Sequence, residues 1–276
     1  MDGLRPSEDG TLFRLVGWPA DVPPERRPVA GLTRVSFGNF VFSDDEPPKA
    51  VVGRRQALAA RLGVPFERWT SARQVHGNRI AVVDEGDIGR GRDDPATAID
   101  AVDGLITRTE ALLVLFFADC LPIYLYAPKA VAVGLVHAGW RGTAANVAAE
   151  AVRAFATAFG VPPADLYAYL GPGICGRDYE VDEPVAGALR SAYGPEVPGL
   201  RPTGSGKYRL DLAETNRFAL LEAGIPAHRV EWTRRCTTEP EAGLYSYRRD
   251  GRAAGRMAAF IALPPGHRES APIGPV

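Results

Sequence analysis

Leu135-Val136-His137-Ala138-Gly139-Trp140-Arg141-Gly142-Thr143 is the stretch on which the reading of this chain turns. It follows an apolar, β-branched run over 130–136. It precedes an Ala-rich segment in which Val147, Val152, Phe155 and Phe159 recur at helical spacing. The pattern predicts a strand that ends at His137, a turn of small residues, and an amphipathic helix over 143–159 closed by Gly160. Metal ligands and catalytic bases occupy such strand ends, because the backbone is fixed while the side chain stays accessible. Taken alone, His137 suits a hydrogen-bonded strand end equally well.

Working outward, 112–118 and 123–126 read as two buried strands, and the break Asp119-Cys120-Leu121-Pro122 places Cys120 between them. Residues 69–83 read as two strands around a hairpin turn at His76-Gly77-Asn78, and 102–107 as a further strand. The charged, Gly-rich segment 85–98 reads as a mobile surface loop. Pro47 opens a helix through Arg61 that carries Arg54 and Arg55 and stops at Gly63. Downstream, a strand over 166–170 leads into Gly171-Pro172-Gly173-Ile174-Cys175-Gly176. A helix over 184–193, a loop over 194–207, a strand over 208–212, a helix to Ala223 and strands over 229–233 and 255–263 complete the pattern. Residues 1–28 read as a loosely attached arm with a short strand near 12–16, 29–264 as one domain, and 265–276 as a disordered tail.

The chain has 276 residues, 46% of them hydrophobic, enough for a sizeable core. A formal net charge of -1 with no basic or acidic block argues against nucleic acid or a membrane surface as partner. The most apolar stretch, 111–118, is too short to span a bilayer, and Met1 to Gly10 lacks the apolar core of a secretory signal. Three cysteines, Cys120, Cys175 and Cys236, without a CxxC pair, fit a reducing cytoplasm better than a disulfide framework. Cys175 and Cys236 fall in Gly-rich and polar loops and read as small residues filling them.

Of the four histidines, His76 and His137 stand at an expected turn and strand end, while His228 and His267 read as solvent-facing. With Cys120, two imidazoles and a thiolate would make a three-ligand zinc site whose fourth position is open, the arrangement of a catalytic site. The spacings match no local zinc-finger pattern, so the sequence pattern alone does not establish a metal.

These blocks carry a resemblance. His137-Ala138-Gly139-Trp140-Arg141-Gly142, Ala118-Asp119-Cys120, Gln74-Val75-His76-Gly77 and Gly171-Pro172-Gly173-Ile174 resemble the signature segments of the laccase-domain proteins. These proteins are also called polyphenol oxidoreductases and are now regarded as purine nucleoside phosphorylases. Tyr179-Glu180-Val181, Asp211-Leu212 and the block from Cys236 to Gly251 are similar to that family too, so the resemblance spans roughly residues 30 to 263, in order. It implies an α+β fold, a four-layer αββα sandwich with mixed sheets, and a catalytic Zn2+ held by His76, Cys120 and His137. It implies phosphorolysis of adenosine, inosine, guanosine or methylthioadenosine, together with adenosine deamination. Two departures fall on the N-terminal side: Thr33-Arg34-Val35-Ser36 lacks the family's glycine pair, and Arg54 stands where the family commonly has Asn.

Phosphorolysis requires a phosphate held beneath the anomeric carbon, so at least one arginine must converge on the site. Arg141 is the first choice and Arg55, which matches a helix arginine of the family, the second; Gln74 is a further substrate-side candidate. Deamination requires a metal-activated water, which an open zinc position supplies. Asp119 is a candidate proton carrier or a support behind the ligands, and equally a strand-end cap. Three alternatives stay open. Cys120 and His137 could form the nucleophile and base of a hydrolase or amidase. A copper-dependent polyphenol oxidase would need more than four histidines. The third alternative is a metal-stabilised binding module.

Overall fold

The computed structural model describes residues 3–204, 206–264 and 266. In chain order the first strands are β1 (Leu4–Pro6), β2 (Leu12–Leu15), β3 (Val29–Thr33), β4 (Trp69–Ser71), β5 (Ile80–Val83) and β6 (Gly104–Thr107). Next come β7 (Leu112–Phe117), β8 (Leu121–Ala127), β9 (Ala132–Ala138) and β10 (Tyr167–Leu170). Then follow β11 (Glu180–Asp182), β12 (Leu200–Gly204), β13 (Lys207–Leu210), β14 (Val230–Trp232) and β15 (Met257–Ala262). The helices are α1 (Pro48–Leu62), α2 (Trp140–Ala144), α3 (Val147–Phe159), α4 (Glu183–Tyr193), α5 (Leu212–Glu222) and α6 (Tyr247–Asp250).

One sheet runs β1-β2-β3-β15-β7-β4 and the other β14-β10-β8-β9-β6-β5; a small sheet, β11-β13-β12, lies apart from both. Both large sheets are mixed, because β4–β7, β5–β6 and β10–β14 pair in parallel while their other neighbours pair antiparallel. Alternation along the strands builds three core layers. Leu113, Leu115 and Phe117 of β7 meet Tyr124, Tyr126, Val133 and Leu135 of the second sheet in the middle. The opposite face of β7, Leu112 and Val114, packs on Leu58, Ala59 and Leu62 of α1. Ile123, Leu125 and Val136 turn outward onto Val147, Ala151 and Phe155 of α3 and Leu220 of α5. The layers therefore follow the order α, β, β, α that the resemblance implied.

Several sequence expectations need correction. The N-terminal stretch is no loose arm, because β1 and β2 extend the first sheet and Leu4, Leu12 and Phe13 are buried in it. The helix expected over 143–159 is two helices, broken where Asn146 takes a left-handed φ of 57°. β4 and β5 lie in different sheets, so His76 sits on a crossing between sheets rather than in a hairpin. Segment 85–98 is folded against the body, with the carbonyls of Arg90 and Gly91 bonded to the Ser71 amide and hydroxyl. The loop expected over 194–207 contains β12, paired to β13. The tail beyond 266 and His267 lie outside the described residues, and His228 is exposed, as expected.

Phe155 is fully buried beneath the second sheet, and a side chain at Gly134 would meet its ring at 2.9 Å, so glycine there leaves room for it. Phe155→Ala is expected to lower the unfolding free energy by about 3–5 kcal/mol. Urea denaturation checks this; a loss below about 1 kcal/mol would mean that α3 carries little of the core.

Candidate active site

The topology explains why three distant residues meet. β7 ends in the first sheet and β8 begins in the second, so Ala118-Asp119-Cys120 crosses between the sheets, with Asp119 turning the chain at a left-handed φ of 82°. Residues 72–79 cross at the same end, from β4 to β5, with His76 at φ 60°. β9 runs antiparallel to β8, which sets Ala138 opposite Leu121 and His137 opposite Pro122, beside Cys120. His137 shares the inward face of β9 with Val133 and Leu135 and stacks 5.2 Å from Phe117, centroid to centroid.

The two imidazole rings lie 4.9 Å apart, edge to face, and ligand atoms of His76, Cys120 and His137 all fall within 4.8 Å of one another. A Cβ on Gly139 would stand 2.8 Å from Cys120 Sγ and 3.2 Å from His76 Cδ2, so only glycine lets these two side chains approach. His137 is 3% exposed, Cys120 half-buried and His76 exposed, which leaves the cluster open on one side. Two imidazoles and a thiolate converging on one point, open toward a cavity, fit a metal ion with a vacant coordination position.

One carboxylate assembles this geometry. Asp103, fully buried, accepts the amide protons of Val75 (3.2 Å), His76 (2.9 Å) and Gly77 (2.7 Å), and contacts His137 Nδ1 at 2.8 Å. Its backbone oxygen accepts the His137 amide at 2.7 Å. The bond at Nδ1 leaves Nε2 of His137 for a ligand. Burial works against a charged Asp103, yet the His137 ring and the amides of Gly77 and Val75 outweigh it and hold the carboxyl below its usual range. Burial likewise opposes the Cys120 thiolate, but the charge and hydrogen bonds of His137 and His76 bring the thiol down to about 6. Burial opposes the His137 cation, and the charges of Cys120 and Asp103 raise it to about 9. Each charge therefore favours the other, which biases the pair toward thiolate and imidazolium.

The remaining sequence candidates divide. Arg141, exposed at the start of α2, lies over its neighbour Trp140 at 4.3 Å and lines a cavity of about 1040 Å³ together with the three metal-ligand candidates. Arg55 does not reach that cavity. It is 2% exposed, its guanidinium donates to the carbonyls of Phe40, Gly91 and Arg92, and it packs over Phe42 at 4.5 Å. Its donors are spent on backbone, so the expectation of a phosphate ligand there is corrected. Gln74 lines the cavity, but its amide exchanges two bonds with the Phe116 backbone, at 2.8 and 2.9 Å, and thereby joins the crossing segment to β7. Asp119 lines the cavity as well. Its carboxylate accepts the Thr237 hydroxyl at 2.5 Å and the Arg248 amide at 2.6 Å, which ties the 237–248 segment to the ligand crossing.

Sequence reasoning missed Asp103, whose only signal was an acid at the start of a buried strand. It also missed another part of the cavity lining, formed by Tyr179, Tyr245, Tyr247, Arg248, Arg252 and Asn39. Arg54 braces this part by donating to the Asn39 carbonyl at 2.7 Å and pairing with Glu46.

The sequence profile of the multi-copper polyphenol oxidoreductase laccase family matches residues 31–264, and the chain belongs to that family. It is 43% identical over 257 residues to "Purine nucleoside phosphorylase YlmD" of Geobacillus stearothermophilus, covering 89% of this chain and 94% of that protein. It is 33% identical over 213 residues to "Adenosine deaminase RL5" of an unknown prokaryotic organism, covering 76% of this chain and 81% of that one. The crystal structure of the Geobacillus stearothermophilus YlmD superposes with a TM-score of 0.88 at 41% identity, covering 95% and 99% of the two chains.

Two outcomes follow from the geometry. In chelator-treated protein, alkylation of Cys120 by iodoacetamide, read by peptide mass mapping, is expected to rise with a midpoint near pH 6, well below the ~8.5 of a free thiol. Added metal should suppress it. Asp103→Ala should cost about 3 kcal/mol or more in stability and weaken metal binding about 10- to 100-fold, measured by denaturation and competition with a chelator. The depressed Asp103 carboxyl stabilises the fold above the unfolded value of ~3.9, and that stability should be lost as pH falls through its lower folded value.

Proposed function

We propose that the chain is a zinc-dependent purine nucleoside phosphorylase with an accompanying adenosine deaminase activity. The observation that carries this reading is the single cavity shared by His76, Cys120, His137 and Arg141. The names of the relatives support the reaction class. One thiolate and two imidazoles with an open side suit zinc. Bound there, zinc would supply a Lewis acid at a vacant coordination position. A multicopper centre finds too few histidines among the four in the chain.

The chain's own residues divide the remaining work. Among the described residues, the structure gives Arg141 no ion-pair partner, so its planar guanidinium is free to hold two phosphate oxygens. Arg248 and Arg252 line the same cavity and add positive potential. Tyr179, Tyr245 and Tyr247 offer aromatic faces for a purine ring. An oxygen of hydrogen phosphate forms the new bond to the anomeric carbon, the glycosidic bond breaks, and the base leaves with its bonding pair and takes up the proton that the phosphate gives up. Asp119 stays at the base of the cavity as the tie between Cys120 and the 237–248 segment, and its proton-carrying role rests on loosening that tie. Three free thiols are consistent with a reducing compartment such as the cytoplasm.

The reading is tested by incubating zinc-loaded protein with adenosine, with and without phosphate, and separating the products. Phosphate-dependent adenine is expected, with inosine as the phosphate-independent product. Arg141→Ala should lower kcat/KM for phosphate about a hundredfold while leaving bound metal unchanged. Intact nucleosides in the presence of stoichiometric zinc would overturn the reading.

A further inference from the structure

We propose that Cys175, Asp178 and Cys236 form a second metal site, structural in role, that takes a thiophilic divalent cation such as zinc. These residues lie outside the cluster at His137, and the proposal stands whether or not the chain is a phosphorylase. β10 and β14 are parallel neighbours, with Ala168 opposite Val230 and Leu170 opposite Trp232, so the chain leaves both strands at the same end of the sheet. There the two exits stay paired. Gly173 bridges to Cys236, and the Thr237 amide donates to the Gly173 carbonyl at 3.1 Å.

That pairing brings three donors together. Cys175 Sγ lies 3.2 Å and Cys236 Sγ 3.6 Å from Asp178 Oδ2, and all three ligand atoms fall within 4.8 Å of one another. The Cys175 amide and the Thr238 hydroxyl also meet Cys236 Sγ, at 3.1 and 3.0 Å, and Thr238 donates to Asp178 Oδ2 at 2.6 Å. Thiolates and a carboxylate at this separation repel one another, and neutral thiols are only weak donors to the carboxylate. A cation between them would let both sulfurs ionise without that repulsion, and two thiolates select a soft one. A disulfide between the cysteines would have no use for the carboxylate.

Access and consequence both follow from the surroundings. Cys236 is buried, but Cys175 lines a cavity of about 570 Å³ that contains none of the residues of the first cluster, leaving a side for water as a fourth ligand. Arg177 pairs with Glu239 at 2.9 Å and, at 3.3 Å, with the same Oδ2 of Asp178, a contact that a bound cation would loosen. The segments that the cation would clamp also grip the base of the active cavity. Ile174 donates to the Asp119 carbonyl at 2.8 Å, and Thr237 donates to the Asp119 carboxylate at 2.5 Å. Asp119 precedes Cys120, so the second site would hold the ligand crossing from behind.

The test uses the full chain carrying Cys120→Ala, so that the first cluster lacks its sulfur. Reduced, metal-free protein is titrated with Co2+ under anaerobic conditions. Expected are one bound equivalent and a thiolate-to-cobalt charge-transfer band. Adding Cys236→Ser should at least halve the band, and adding Asp178→Asn should weaken binding at least tenfold. If the buried Cys236→Ser variant fails to fold, Cys175→Ser at the half-exposed position serves in its place. A folded, reduced Cys120→Ala protein that gives no thiolate band would overturn the proposal. So would isolated protein whose mass shows Cys175 and Cys236 joined as a disulfide.

Discussion

The carboxylate of Asp103 is the constraint on which the site depends. It is fully buried, and it serves the backbone of 75–77 and the ring of His137 at once. A buried carboxylate without such partners would cost several kcal/mol. Here the partners are the groups that the site must position: the turn bearing His76 and the imidazole of His137. The interaction that makes the buried charge tolerable thus also sets how the candidate ligands face one another. A local turn preference could not do this, because the amides and the ring come from different parts of the chain.

The double sheet supplies the rest. Two connections cross between the sheets at one end, and a third strand ends beside them, so Cys120 and His137 sit at strand termini while His76 rides on the 72–79 crossing that Asp103 holds. Such a frame is rigid where ligands must be held and open where a substrate must enter. Gly139 keeps the clearance between Cys120 and His76, while Asp119 and Gln74 tie the crossings to their neighbours. Cationic and aromatic residues from Tyr245 to Arg256 complete the lining of the cavity.

Much of this is legible in the sequence, for identifiable reasons. β7, β8 and β9 announce themselves as apolar runs, and the Asp119–Pro122 break is visible between them. The pattern therefore suffices to place Cys120 and His137 at strand ends. The α, β, β, α order comes from the resemblance, because periodicity does not say which sheet a strand joins. That gap is why the pattern suggests a hairpin at His76 although β4 and β5 belong to different sheets. β1 is three residues long and contains a proline, so its pattern is too short to register. Asp103 is invisible as a site residue because its partners lie 27 and 34 positions away in sequence. Arg55 misleads because residue type cannot distinguish an arginine that binds phosphate from one that satisfies buried carbonyls.

The most direct test of the account is X-ray absorption at the zinc edge, on protein carrying Cys175→Ser and Cys236→Ser so that only the first cluster can offer a sulfur. The account predicts a first shell of one sulfur at about 2.3 Å and two imidazole nitrogens at about 2.0–2.1 Å, completed by one light atom. A shell without sulfur, or protein that retains no zinc, would contradict it.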